Sequence, residues 1–354
     1  MFSEEHQRAK KAGLPPGTLK FTGKQGDRLP SVTIASYSPT HYEEKSGTHF
    51  SPDMEILHSP GAKWVNIEGL HDTQLIQEVA TYFKLHPLTV EDILNIAQRP
   101  KIEEFEDYLF VILKVLDWQS KKTTFKVKQL SLILGKDFVL SFQEADTTRF
   151  DQIREKLHGT SQRLREQGTD YLTYRLIDAV VDEYFVVLES IGDRIEQVED
   201  KIIISPTPEN AKTIYRLKRQ MLILRKAIWP MREAVSHMLH IENEIISTST
   251  RIYLRDVYDH TMQAIDTLET FREMLSSMLD MYLSGLTNRM NEIMKTLTVI
   301  TTIFIPITAV ASFYGMNFVD LPGIHTPWAW LIVFISMAGV AILMLFYFRA
   351  KKWL

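Results

Sequence analysis

TLTVITTIFIPITAVASFYGMNFV (296–319) and WAWLIVFISMAGVAILMLFYF (328–348) decide the fold of this 354-residue chain. They run 24 and 21 residues without a charged side chain. A helix needs about 20 apolar residues to cross the hydrocarbon of a bilayer. Two uncharged runs of this length in succession read as membrane spans rather than as core helices of a soluble domain. Only residues 320–327 separate them, so they form a tight hairpin whose two ends lie on one side. Lys295 precedes the first span, and Arg349, Lys351 and Lys352 follow the second. By the positive-inside rule these ends face the cytoplasm and the short loop faces outward. Trp328 and Trp330 suit the outer interface and Trp353 the inner one.

The chain has 40 Lys and Arg against 44 Asp and Glu, a formal charge of −4, and no cysteine. The charge is uneven. Residues 293–354 carry a formal +3 and the preceding 292 carry −7. An acidic soluble part disfavours nucleic acid as a partner. The absence of cysteine excludes disulfides, thiolate zinc sites, iron–sulfur clusters and thiol nucleophiles. There is no G-x-x-x-x-G-K-[ST] loop, so no nucleotide is expected. His71, His86, His237, His240 and His260 form no H-E-x-x-H or similar ligand set, which argues against an anchored metalloenzyme and against an enzyme in general. MFSEEHQRAKKAG (1–13) has no apolar core, so no secretory signal is expected there.

Residues 18–143 read as mixed α and β. Strand-like runs are TLKFTG (18–23), SVTIASY (31–37), KWVNIEGL (63–70), YLFVILKVL (108–116), QLSLILG (129–135) and FVLSFQ (138–143), with a hairpin at Gly135-Lys136-Asp137. Helical patterns fall at 72–84 and 87–96, which gives an α/β sandwich. One helix is expected over 148–167 and another from Asp170 to about Ile204. Thr207 caps a third with Pro208 at its first position, and Pro230 should kink it. From Arg251 no proline occurs until Pro306. A helix there would run roughly 95 Å at about 1.5 Å per residue and continue into the first span.

Stepping alternately by four and three along that helix gives Asp280, Ser284, Thr287, Asn291, Met294, Thr298, Thr301, Ile305, Thr308 and Ser312. Eight of the ten are polar. A period near 3.5 suits helices gathered around a common axis, and a polar stripe within a bilayer must turn from lipid towards protein or water. Several copies could therefore enclose a pore, with Met294 and Ile305 as apolar rings that gate by dewetting. Alternatively the hydroxyls simply bond back to their own helix. Thr89-Val90-Glu91-Asp92 matches a capping box, which accounts for its acids by helix capping alone.

The first span ends in Tyr314-Gly315-Met316-Asn317. Gly-Met-Asn at this position, a short loop, a second span and a Lys-Lys-Trp-Leu end resemble the CorA family of magnesium channels. GLPPGTL (13–19), HPLTVEDILN (86–95), QRPKIE (98–103), YLFVILK (108–114), DYLTYRLIDAVVDEYF (170–185), LRKAIWPMRE (224–233) and RDVYDHT (255–261) extend the resemblance over nearly the whole chain. It implies an α+β membrane protein: an N-terminal cytoplasmic α/β sandwich, long helices forming a funnel, and a C-terminal two-helix transmembrane hairpin, assembled as a homopentamer in the inner or plasma membrane with both termini cytoplasmic. The expected segments are 1–145 (α/β domain), 146–250 (helical segment), 251–319 (stalk helix continuing into the pore-lining span), 320–327 (external loop), 328–348 (second span) and 349–354 (basic tail).

The resemblance further implies that Gly315, Met316 and Asn317 form the selectivity filter. Magnesium sheds its waters reluctantly, so a ring of Asn317 side chains could hold the hydrated ion, with Gly315 permitting the turn. Asn291, Met294, Leu297, Thr298, Thr301, Ile305 and Thr308 would line the pore. Asp92 would face Asp256 of the adjacent subunit across a regulatory Mg2+, and Glu91 and Asp178 would serve a second metal position. In RDVYDHT the plain reading is solvated helix charge, with His260 bonded to a neighbour. Relatives often carry an acidic MPEL-like sequence after the filter. Here Gly323 replaces the glutamate and Asp320 is the loop's one charge, which puts an external acidic ring in doubt. Competing readings are a transporter of Co2+, Ni2+ or Zn2+ and a membrane-tethered metal sensor without a pore. Softer ions prefer imidazole or thiolate, and the spans contain neither histidine nor cysteine.

Overall fold

The structure, a computed structural model, describes residues 15, 17–23, 29–119, 123–144, 148–159, 162–242, 244–317, 323 and 326–353. The chain divides into two compact units, residues 1–197 with 214–275, and 198–213 with 276–354.

The first unit is built on seven strands: β1 (Ser31–Tyr37), β2 (Tyr42–Gly47), β3 (Ala62–Glu68), β4 (Lys101–Glu104), β5 (Tyr108–Gln119), β6 (Thr124–Gly135) and β7 (Phe138–Gln143). They form one sheet in the order β2-β1-β3-β7-β6-β5-β4. Among the described residues only β3 and β7 pair in parallel. The expected runs at 31–37 and 138–143 are β1 and β7, and Gly135 to Phe138 makes the expected hairpin, with Leu134 opposite Val139.

Both faces of the central strands are covered, which is why they read as continuous apolar runs. On one face Val65, Ile67, Phe110, Ile133 and Leu140 pack with the helices α1 (Glu55–His58), α2 (Thr73–Tyr82) and α3 (Pro87–Leu94). Asp72 caps α2, accepting from the amides of Gln74 and Leu75 at 3.1 and 3.0 Å. The opposite face meets α6 (Thr169–Ile204): Thr169 Oγ1 donates to the Gly135 carbonyl at 2.9 Å, and Tyr184 OH donates to the Lys114 carbonyl at 2.6 Å. A buried polar chain pins the parallel pairing. Trp64 Nε1 donates to Ser141 Oγ, which donates to Asn66 Oδ1, and Asn66 Nδ2 donates to Glu68 Oε1. A one-residue slip would strand these groups on the wrong face.

Four expectations change. Residues 18–23 form no strand; Thr22 instead donates its amide to the Leu94 carbonyl at 3.1 Å, docking the segment on the end of α3. The expected single helix over 148–167 is a 3-10 turn followed by α4 (Asp151–His158) and α5 (Gln162–Glu166). Thr89 does not cap a helix: α3 starts at Pro87 with His86 as its cap, and the Thr89 hydroxyl pairs with Tyr108 OH at 3.0 Å. The edge strands β2 and β4 had no recognised signal.

In this unit α6 packs with α7 (Pro208–His240) and α8 (Thr248–Tyr314). Pro230 lies inside α7 as expected. Tyr171 and Tyr174 both meet the Tyr253 ring at 5.2 Å. Gly192 faces Phe271 so closely that a Cβ would come within 3.0 Å of the ring, which sets the helix spacing.

The second unit contains the remainder of α8 and α9 (Ala329–Ala350). Both helices are long and apolar enough to cross a membrane. Ile300, Phe304, Ile335 and Phe346 are exposed on them, while Val299 and Phe348 are buried. The Phe348 and Trp353 rings stack at 5.7 Å. Residues 318–319 at the end of the first expected span, and 320–322 and 324–325 of the expected outer loop, lie outside the described residues, Asp320 among them. Ile133 is fully buried in the central strand β6. Ile133→Ala should therefore cost roughly 2–5 kcal/mol by leaving a cavity, read as a lower denaturant midpoint of the full-length protein in detergent.

Candidate metal sites and polar helix face

Helix α3 brings Glu91 and Asp92 to the edge of the sheet. Its C-terminal carbonyls, which lack partners within the helix, are bound from outside. Gln129 Nε2 donates to the Asp92 carbonyl at 3.0 Å and the Thr22 amide to the Leu94 carbonyl at 3.1 Å; just past the helix, Lys114 Nζ donates to the Ile96 carbonyl at 2.6 Å. Glu91 Oε2 accepts the Gly17 amide at 2.7 Å. Both oxygens of Asp92 are engaged: Gln98 Nε2 donates to Oδ1, and Lys101 Nζ lies 2.5 Å from Oδ2. Lys101 also reaches Glu103 Oε1 at 2.6 Å. Burial alone would pull the Lys101 ammonium down, but hydrogen bonds to Asp92 and Glu103 outweigh it and raise its pKa overall.

A second group joins α6 to α8. Ligand atoms of Asp178, Asp182 and His260 all lie within 4.8 Å of one another. Asp178 is 7% exposed and pairs with Arg175 at 2.6 Å. Burial, reinforced by Asp182, pushes its carboxyl above the usual range despite the opposing charges of Arg175 and His260. The His260 ring meets Phe185 edge-on, and its Nδ1 is buried without a hydrogen-bond partner. Asp256 is exposed, with Oδ1 3.9 Å from His260 Nε2. Of the four expected ligands, only Asp178 belongs to this three-residue group. Asp182 and His260 were not among the expected ligands. The four-residue spacing of Asp178 and Asp182 on α6 was the available signal.

In the second unit the polar stripe is exposed along α8, from Asn291 to Asn317 with Thr298 half-buried. Its hydroxyls return to the preceding turn. Thr298 donates to the Met294 carbonyl at 2.7 Å, Thr301 to Leu297 at 2.9 Å, and Thr308 to Phe304 at 2.7 Å. A recess of about 550 Å³ beside Asn291, Met294 and Thr298 also takes Lys295 and Trp353. Gly315 closes the helix with its amide on the Ala311 carbonyl at 3.0 Å. Its φ is not positive. Its small size matters instead, because a Cβ would approach that carbonyl to 3.2 Å. Asn317 follows, exposed.

A sheet domain with long helices and two C-terminal membrane spans defines the class: a membrane protein with a large extramembrane domain. The chain belongs to the CorA family; residues 59–352 match the family described as CorA-like Mg2+ transporter protein. It is 42% identical over 351 residues to the cobalt/magnesium transport protein CorA of Thermotoga maritima, covering 99% of this chain and 100% of the relative. It is 32% identical to the putative metal ion transporter YfjQ of Bacillus subtilis, over 82% of this chain and 89% of the relative. The solved CorA magnesium transporter of Methanocaldococcus jannaschii shares the fold with a TM-score of 0.76 at 23% identity, over 91% of this chain and 98% of that one.

Asp178 provides a check on the buried cluster. The folded chain holds this proton more tightly than the unfolded one, so stability falls as pH rises through the raised folded value. Without divalent metal, Asp178→Asn should melt at a higher temperature than the parent at neutral pH and should lose that part of the pH slope. Thermal unfolding in chelator at several pH values reads both.

Proposed function

We propose that this chain forms a passive, membrane-potential-driven uptake pore for hydrated Mg2+. Several copies, five by family resemblance, are arranged around the α8 stripe, with both termini in the cytoplasm. The observation that carries this reading is the hydroxyl pattern on α8. The waters of a hydrated magnesium ion point their hydrogens outward, so a lining that holds them must accept hydrogen bonds. Thr298, Thr301 and Thr308 have given their own hydrogens to helix carbonyls, and each oxygen remains an acceptor. Asn317 Oδ1 supplies the same chemistry at the filter formed with Gly315 and Met316. Met294 and Ile305 interrupt the stripe as apolar rings that close by dewetting, with Leu297 lining the pore beside Met294. Inward movement of a divalent ion gains about 4.6 kcal/mol per 100 mV, so no nucleotide is required.

Regulation follows from charge. Mg2+ held between Asp92 of one copy and Asp256 of the next, with a second ion at Glu91 and Asp178, cancels carboxylate repulsion and keeps the ring closed. Carboxylate oxygens suit a hard ion. When internal magnesium falls, the bare carboxylates repel and the ring loosens. The same helix, α8, carries Asp256 and the pore-lining residues. Transport of Co2+ is the second reading. An imidazole beside Asp178 favours such an ion, and the Thermotoga maritima relative is named for cobalt and magnesium.

Purified protein in liposomes with an internal magnesium reporter tests the pore. Asn317→Ala should abolish uptake driven by a negative-inside potential, and retained uptake would exclude the filter. Asp92→Lys and Asp256→Lys should keep transporting at internal magnesium levels that shut the parent, whereas unchanged inhibition counts against the gate. Uptake of Co2+ in competition with Mg2+ ranks the two ions.

A further inference from the structure

We propose that Lys101 is a built-in competitor for the Asp92 carboxylate, so that a regulatory cation binds there only by displacing a tethered ammonium. The proposal rests on the reading of Asp92 as a regulatory ligand and concerns what sets the threshold and selectivity of that position.

The geometry is specific. Lys101 begins β4, where it lies opposite Ile112 of β5, and its ammonium stands 5.8 Å from the centre of the Phe110 ring. The strand therefore holds the stem in place, and Nζ falls 2.5 Å from Asp92 Oδ2. Glu103 lies two residues further on the same strand, hence on the same side, and takes the ammonium at 2.6 Å. Lys101 thus has somewhere to go: when a metal takes Asp92, the ammonium keeps Glu103. The Lys101 and Asp92 side chains are only 29% and 17% exposed, so water screens them incompletely. Asp256 differs. Its side chain is 61% exposed, and its recorded ion-pair partner is the His260 ring at 3.9 Å. The two halves of the regulatory pair are unequal: one is preloaded with a counter-ion and the other is open.

The tether raises the ammonium's local concentration far above that of a free ion. A monovalent cation brings no more charge than the ammonium it would replace, so potassium and sodium gain nothing at Asp92. A divalent ion brings twice the charge and prevails once its concentration is high enough. Lys101 therefore raises the magnesium level at which the position fills and excludes monovalent ions from it.

The test is thermal unfolding of the full-length protein in detergent, titrated with magnesium chloride or potassium chloride, in an Asp178→Asn background that silences the second position. Lys101→Met should lower the half-maximal magnesium concentration by about fivefold, the scale of one part-screened ion pair, and should introduce a response to potassium. Lys101→Arg should restore the parental value. Glu103→Gln should raise the half-maximal concentration, and that rise should vanish in the Lys101→Met background. An unchanged half-maximal concentration in Lys101→Met, with the response lost in Asp92→Asn, overturns the proposal while leaving Asp92 as a ligand. A full response in Asp92→Asn removes the regulatory reading and this proposal with it. If Lys101→Met does not unfold cooperatively, Lys101→Gln and Glu103→Gln carry the same comparison.

Discussion

Hydrocarbon offers a polar group no water, and the C-terminal third of this chain is organised by that constraint. A helix satisfies its own amides and carbonyls, but threonine adds a hydroxyl that still needs a partner. Along α8 the hydroxyls of Thr298, Thr301 and Thr308 find theirs in the turn below. This lets a helix with an apolar flank of Ile300 and Phe304 also carry a row of oxygen atoms. Bonding back to the helix and lining a conduit at first look like rival explanations for these residues. They are compatible, because a hydroxyl that has spent its hydrogen remains an acceptor.

The extramembrane unit handles its own acidity in a related way. Each of these buried or half-buried carboxylates has a cation or an amide placed against it: Lys101 at Asp92, Arg175 at Asp178, and the Gly17 amide at Glu91. An unpaired buried charge costs far more than an imperfectly paired one. Under the proposed function, a divalent ion at these positions would exchange partners rather than fill a bare negative cavity.

Legibility followed burial. Strands β1 and β7 were readable to the residue because both lie in covered sheet with dense apolar runs. Strand β2 reads YEEKSG, and β4 reads KIEE. Charges suit an exposed edge but erase the strand signal, so pairing with β1 and β5 alone makes them strands. TLKFTG carries a strand-like composition yet docks on α3 through Thr22, since tertiary contact outranks propensity. Within the site, Asp92, Asp256, Glu91 and Asp178 came from resemblance to a family. Lys101 and His260 as neighbours of those acids are products of the fold, because no periodicity links α6 to a histidine on α8 or ties a helix carboxylate to the next strand. At Gly315 the absence of a side chain is what the turn uses, since a Cβ would crowd the Ala311 carbonyl and φ is not positive.

The parallel pairing of β3 with β7 has a consequence for biogenesis. Residues 63–68 wait for 138–143 before the two halves of the sheet can join, and joins between distant segments are the slow ones. On a ribosome the three-stranded sheet of β1, β2 and β3 would stay half-covered until β7 emerges. The hydrophobic segments of α8 and α9 come well after that point in the chain. Synthesis order therefore allows the water-soluble domain to close before the translocon receives its first span, keeping the two most aggregation-prone surfaces of the molecule from being bare at the same moment.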